Sequence, residues 1–257
     1  MSCGINVILL RGLGRESEHW LGFAELLKRR CTEIAPYIYF TFATPDTAGC
    51  GTEYQRDASH RLTELTDDLV RRLPTKTKDA CTVVVGLSMG GLIALDLAKR
   101  YESLVDGAVV INSSTGNQPW YRRMCPQALL TALTALALPL RQRENCIFNL
   151  VSNTQPEQAR QGWWQIQRAR PVSRLNLVRL LLAAAGFTLN ETVAQKGLVI
   201  ASQRDRLVDA RCSGELAHYL NWPLEVHPSA GHDLPIDNPE WLADVVAQWL
   251  VREYVIL

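Results

Sequence analysis

The stretch Val85-Gly86-Leu87-Ser88-Met89-Gly90-Gly91 limits what this chain can fold into more than any other. It follows a β-branched run, Cys81-Thr82-Val83-Val84-Val85. It precedes Leu92 to Arg100, where apolar residues recur at helical spacing and the last two residues are basic. The order is strand, sharp turn, helix. Gly86 and Gly90 flank Ser88 in the pattern G-x-S-x-G. Their missing side chains let strand and helix approach, and let the serine take a strained backbone conformation with its hydroxyl clear of the sheet. A bare G-x-S-x-G also arises by accident, so the setting between a buried-strand pattern and a helix start is what favours a nucleophilic serine.

The segments around this turn alternate in kind. Ile5 to Leu10 reads as a buried strand that ends in Arg11-Gly12-Leu13-Gly14. Ser17 reads as the cap of a helix with Trp20, Phe23, Leu26 and Leu27 on one face, running to Arg30. Tyr37 to Phe42 is a second strand, and a helix from about Ser59 to Leu73 follows, with Pro74 beyond it. Ala108 to Ile111 is another short strand. The β-α-β-α-β-α-β order argues for a parallel sheet with helices on both faces. From about Gln118 to Asn190 the alternation stops and a helical insertion is expected. The sheet pattern resumes at Gly197 to Ser202, then a helix near Ala210 to Tyr219, a strand Leu224 to His227 and a closing helix from Pro239 to about Tyr254. The fold expected is therefore an α/β core of residues 1–117 and 191–257, with a mostly parallel sheet, interrupted by helices over 118–190.

Composition narrows the function classes. At 257 residues and 47% hydrophobic, the chain can bury a substantial core, and a formal charge of +1 gives no whole-molecule attraction to nucleic acid or membrane. The charge is unevenly spread. Nine arginines against two glutamates give the insertion a net +7, and 18 basic against 24 acidic residues give the remainder −6. Seven scattered cysteines, Cys3 among them, form no C-x-x-C, and no His pair has zinc spacing; reduced thiols in a cytoplasm and no bound metal are expected. The segment from Met1 to Leu10 lacks a basic leader region and does not read as a signal peptide. No window reaches the roughly 18 apolar residues of a membrane span. The Gly12-Leu13-Gly14 loop lacks the third glycine or lysine of a nucleotide site.

A serine hydroxyl keeps its proton at neutral pH, so it needs a base within reach and a third group to orient that base. In a parallel sheet, residues just past the carboxyl ends of strands converge on one edge. Asp205 follows the strand ending at Ser202, and His232 follows the strand ending at His227, so both are expected beside Ser88. Asp209 is the nearest rival for the acid. Asp233 and Asp237 read as turn or helix-start residues, and Asn112, an amide, cannot serve as the carboxylate. His19, His60, His218 and His227 read as structural or solvated, with His19 also a candidate to line a pocket.

These features together resemble the α/β-hydrolase superfamily, in its small single-lid esterase branch. The parts that carry the resemblance are Gly86 to Gly91, Asp205 in a D-x-x-V setting, Gly231-His232-Asp233, Arg11-Gly12-Leu13-Gly14 and the order Ser, Asp, His. It extends from Val7 to the closing helix and is weakest in the insertion. It implies a lid over 118–190 and a Ser88-His232-Asp205 triad that cleaves a small acyl ester through an acyl-enzyme without metal or cofactor. The implied oxyanion donors are the backbone N–H groups of Leu13 and Met89. Arg11 stands where the family usually has histidine. A similarity to pimeloyl-carrier methyl esterases adds a second reading, a thioesterase or carrier-linked esterase whose arginine-rich lid receives coenzyme A or an acidic carrier protein. A third reading, favoured by Arg11, is a non-catalytic binding protein on the same fold. The run Leu129 to Leu138, with Trp163 or Trp164, is either a packed helix or an apolar roof over an acyl chain.

Overall fold

Continuous β-branched runs suit strands that are covered on both faces, and the chain uses them that way. The computed structural model describes residues 4–73, 76 and 79–255 and contains a six-stranded sheet. Its strands are β1 (Gly4–Leu10), β2 (Tyr39–Ala43), β3 (Ala80–Leu87), β4 (Gly107–Ile111), β5 (Lys196–Ser202) and β6 (Leu224–His227), in spatial order β2-β1-β3-β4-β5-β6. Every neighbouring pair is parallel, with Val7 opposite Val83 and Gly86 opposite Val110. Met1, Cys3 and Pro74, used in the sequence reading, lie outside the described residues.

The helices of the core are α1 (Phe23–Ile34), α2 (Leu62–Val70) and α3 (Met89–Arg100), and five more, α4 (Trp120–Arg123), α5 (Pro126–Ala137), α6 (Leu140–Val151), α7 (Glu157–Ala169) and α8 (Arg174–Gly186), lie between β4 and β5. After β5 come α9 (Ala210–Leu220), α10 (Leu234–Asp237) and α11 (Pro239–Tyr254). Successive residues of a strand serve opposite faces of the sheet. Val83 and Val85 pack with Leu27 of α1 and Val246 and Leu250 of α11, while Val84 packs with Leu69 of α2 and Ile93 of α3. All of these are sealed from solvent, and each such side chain contributes about 1.5–3 kcal/mol.

The strand order decides where a site can open. The chain runs from β1 outward to β2 and then returns to β3 on the other side of β1, so the loops after β1 and β3 diverge and leave a crevice at their carboxyl ends. Arg11 to Gly14 and Ser88 flank that crevice.

The insertion leaves and rejoins the sheet at one neck, where Gly116 N–H donates to Phe187 O at 2.6 Å and Leu189 N–H donates to Asn117 Oδ1 at 2.8 Å. Much of its positive charge is spent against the core. Arg122 pairs with Glu215, Arg170 with Glu16 and Glu18, and Arg179 with Asp57. Arg143 and Arg160 pair with the insertion's own Glu144 and Glu157.

Two local expectations are corrected. Ser17 does not cap the first helix: Ser17–Trp20 is a separate 3-10 turn, and Ser17 N–H donates to the buried Asp46 at 2.7 Å. Leu21 and Gly22 take positive φ, so α1 begins only at Phe23, on which Trp20 stacks at 5.4 Å. The second strand starts at Tyr39, the first residue paired with β1, opposite Gly4, while Tyr37 is 80% exposed in the turn before it. Among the described residues six cysteines are free, no group of three or more potential metal ligands occurs, and no helix is long and apolar enough to cross a membrane.

Candidate active site

Ser88 sits between Leu87, the last residue of β3, and Met89, the first of α3, at φ 57 and ψ −120. Such a conformation costs of order 1–3 kcal/mol and persists only where its surroundings enforce it. They do so here through Ser88 N–H, which donates to Ile111 O at 2.8 Å, and Ser113 Oγ, which donates to Ser88 O at 2.7 Å. The flanking glycines are obligatory. A Cβ on Gly86 would stand 2.2 Å from Gly90 O, and one on Gly90 would stand 2.2 Å from Leu10 O. Met89 N–H opens the first turn of α3 and therefore has no intrahelical acceptor; it also lies at the positive end of the helix dipole.

The loop after β1 lies directly against the serine. A Cβ on Gly12 would fall 3.2 Å from Ser88 Cβ and 3.7 Å from Ser88 Oγ, so a side chain there would press on the serine. Leu13, Ser88, Met89 and His232 all border one cavity of about 460 Å³ between the sheet edge and helices α4 to α8.

His232 Nδ1 lies 2.7 Å from Asp205 Oδ2, with the two side chains 6% and 1% exposed. An ionised carboxylate only accepts, so the proton belongs on Nδ1 and Nε2 is left basic. Asp205 is held in turn, its Oδ1 accepting from Leu207 N–H at 2.7 Å and Val208 N–H at 3.0 Å. The rival Asp209 instead caps α9 and pairs with Arg211 at the surface. Among the described residues no hydrogen bond joins Ser88 Oγ to His232; both border the same cavity.

The sequence reading underrated three supports. Asp233 does more than start a turn, for its carboxylate receives the buried Arg11 guanidinium at 3.2 and 2.5 Å, which fastens the glycine loop to the residue after His232. Arg11 also lies over the Trp20 ring at 4.9 Å. Asn112, read only as an amide unfit to be the acid, donates to His232 O at 2.8 Å and Ser202 Oγ at 3.0 Å and accepts from Ser202 N–H at 2.7 Å. Asp237 accepts from Gly231 N–H on one side and from Ser152, Asn153 and Thr154 of the insertion on the other. Burial opposes its charge, yet these bonds hold its carboxyl below the usual carboxylate range. A charged residue next to each presumed active loop was the available signal for Arg11 and Asp233.

His19 does not line the cavity. It is fully buried behind Trp163, meeting that ring edge-on at 5.2 Å, and its Nδ1 accepts from Glu16 N–H at 3.1 Å. Burial, aided by Arg15 and Arg11, pushes its pKa well below the ordinary imidazole value. A histidine kept neutral in the fold takes up a proton on unfolding once pH drops below about 6.5. Its contribution is therefore fully present above that pH and is lost as pH falls towards the folded-state value, at a rate of at most about 1.4 kcal/mol per pH unit. His19→Asn, which keeps an acceptor near the Nδ1 position, is expected to flatten that part of the acid slope in urea unfolding measured across this pH range.

The part of the cavity wall contributed by α5 is apolar. Leu129, Ala132, Ala135 and Leu136 of α5 and Trp163 of α7 border it, whereas Trp164 does not.

The sequence model of the alpha/beta hydrolase family matches residues 7–245. "Putative carbamate hydrolase RutD" of Pantoea ananatis is 24% identical over 257 residues, covering 96% of this chain and 88% of that protein. Among solved structures, the esterase EaEST from Exiguobacterium antarcticum superposes with a TM-score of 0.77 at 17% identity, over 97% of this chain and 93% of that one. A thermophilic esterase from Thermogutta terrifontis gives 0.70 at 18% identity, over 98% and 91%. At that identity the structural likeness speaks for the fold. The family match covers the elbow, the glycine loop and the loops bearing Asp205 and His232, and the chain belongs to the alpha/beta hydrolase family.

Proposed function

We propose that the chain is a serine hydrolase that cleaves a small carboxylic ester through an acyl-enzyme, with residues 118–190 as its lid. The observation that carries this is the buried His232–Asp205 pair, whose histidine borders the same cavity as a serine held at φ 57. In this reading His232 Nε2 takes the Ser88 proton as Oγ attacks the carbonyl carbon, and Asp205 stabilises the imidazolium. The Leu13 and Met89 N–H groups receive the developing oxyanion. The protonated imidazole then gives its proton to the departing alcohol, and water repeats the sequence to release the acid. No metal or cofactor enters.

The test is labelling with a fluorophosphonate probe together with release of 4-nitrophenol from acyl esters of graded length. Stoichiometric labelling of Ser88 with turnover supports the reading; ligand binding without labelling supports the non-catalytic alternative. A carbamate substrate is the second reading, since the likeness to RutD spans 96% of the chain and a carbamoyl carbonyl offers the same point of attack. Comparing ester and carbamate with one leaving group separates the two. The carrier-linked reading has less to rest on, because three of the insertion's nine arginines, Arg122, Arg170 and Arg179, already pair with carboxylates of the core.

Gly12 offers a direct check on the oxyanion loop. Gly12→Ala places a methyl against Ser88 and displaces the Leu13 N–H, so kcat is expected to fall about 10²–10³-fold, the loss typical of one missing donor. Steady-state kinetics with a small aryl ester measures it.

A further inference from the structure

The cavity wall carries a cluster of charge that the hydrolytic residues do not use. Arg15, which follows the glycine loop, donates to Glu144 Oε2 at 2.5 Å, and Arg143 donates to Glu144 Oε1 at 3.3 Å. The three side chains are only 10%, 5% and 8% exposed, in the order Arg15, Glu144, Arg143, and all three border the cavity that holds Ser88 and His232. Two guanidinium groups therefore share one carboxylate, and one positive charge is left over. The neighbouring Arg11–Asp233 pair is balanced and cannot supply the missing anion.

The donors are as unbalanced as the charge. A guanidinium offers five N–H groups and Glu144 has only two oxygens, each already engaged. Arg143 Nη2 reaches Val172 O only at 3.5 Å. No Arg15 or Arg143 nitrogen is among the described buried atoms that are sealed off without a partner, so their spare N–H groups reach accessible space. Arg15 is also fixed in place, its guanidinium lying over the Trp163 ring at 4.2 Å. A planar, immobilised fork with free donors matches a carboxylate in both charge and shape. Burying an unbalanced charge is costly unless something balances it.

We infer that the Arg15–Glu144–Arg143 cluster is a subsite for an anionic group on the substrate, and that the preferred ester carries a carboxylate remote from its scissile carbonyl. This rests on the hydrolytic reading of the same cavity. Binding to a protein that cannot turn over tests it separately. In Ser88→Ala, monomethyl succinate and monomethyl glutarate are titrated calorimetrically beside the corresponding dimethyl esters. The monoanions are expected to bind about 10-fold to 100-fold more tightly, the range for charge-assisted hydrogen bonds. Adding Arg143→Gln should bring that ratio close to one. Adding Glu144→Gln should raise it, because the internal competitor is then neutral, a gain that a purely structural role for Glu144 does not produce. Absence of monoester binding, equal binding of monoester and diester, or a preference that survives Arg143→Gln overturns the inference. A binding preference without ester turnover by the unmodified protein counts against the hydrolytic reading alone.

Discussion

Replacing Ser88 by alanine is expected to lower kcat for ester hydrolysis by about 10⁴–10⁶-fold while the protein unfolds at an unchanged urea midpoint. The midpoint holds because what enforces the positive φ is backbone and glycine packing: Ser88 N–H and O keep their partners Ile111 and Ser113, and Gly86 and Gly90 keep their contacts. Only the hydroxyl goes, and with it fluorophosphonate labelling. His232→Ala should cost nearly as much as Ser88→Ala, and the double variant little more than either, because a base without its nucleophile and a nucleophile without its base are equally idle. In the proposed mechanism, what rate remains comes from the Leu13 and Met89 amides and from binding. Independent, additive losses from the two single variants would contradict the proposed mechanism. Stopped assays on the three variants at saturating substrate, with urea titrations alongside, supply the measurement.

Ser88, Asp205 and the Gly12–Leu13 loop could be proposed from the sequence because each follows a strand whose pattern is unambiguous, whereas His232, the proposed base, follows only the short and mostly exposed Leu224–His227. Val83 to Val85, Leu198 to Ala201 and Ile5 to Leu10 are near-continuous apolar runs, and a parallel sheet gathers whatever follows such runs on one edge. The supporting contacts were less legible for an equally physical reason. Arg11 and Asp233 are 222 positions apart, and nothing local distinguishes a buried ion pair from a charged turn residue. The insertion was readable as helical but not in its placement, since its helices are fixed by contacts with distant loops such as Arg170 with Glu16 and Arg179 with Asp57. Those same contacts set part of the insertion's positive charge against carboxylates of the core. Opposite charges divided between core and insertion are what such an interface requires. The first helix was misplaced because Leu21 and Gly22 break it, and Leu21 gives no warning of its positive φ.

Asp233→Ala should be the most destabilising single change in the site. It leaves the Arg11 guanidinium, 3% exposed, without its carboxylate, and orphaning one member of a buried pair costs about 3–5 kcal/mol. Arg11 Nε already lacks a hydrogen-bond partner, and the Trp20 ring offers only its face, so no alternative acceptor is at hand. Replacing both members, Arg11→Met with Asp233→Val, should recover most of that loss, because two apolar side chains of nearly the same combined volume need no counter-charge. Activity should separate from stability in this double variant. The ion pair fastens the loop carrying Gly12 and Leu13 to the loop carrying His232, so a fold repaired by apolar packing still allows the oxyanion donor and the base to drift apart. A misplacement of about 1 Å can cost on the order of 10²-fold in rate, and kcat is expected to stay low while the urea midpoint returns towards that of the unmodified protein. If kcat returned together with stability, Arg11 and Asp233 would be packing residues that happen to be charged, and the fastening of the two loops would fall to Asn112 and Asp237 alone.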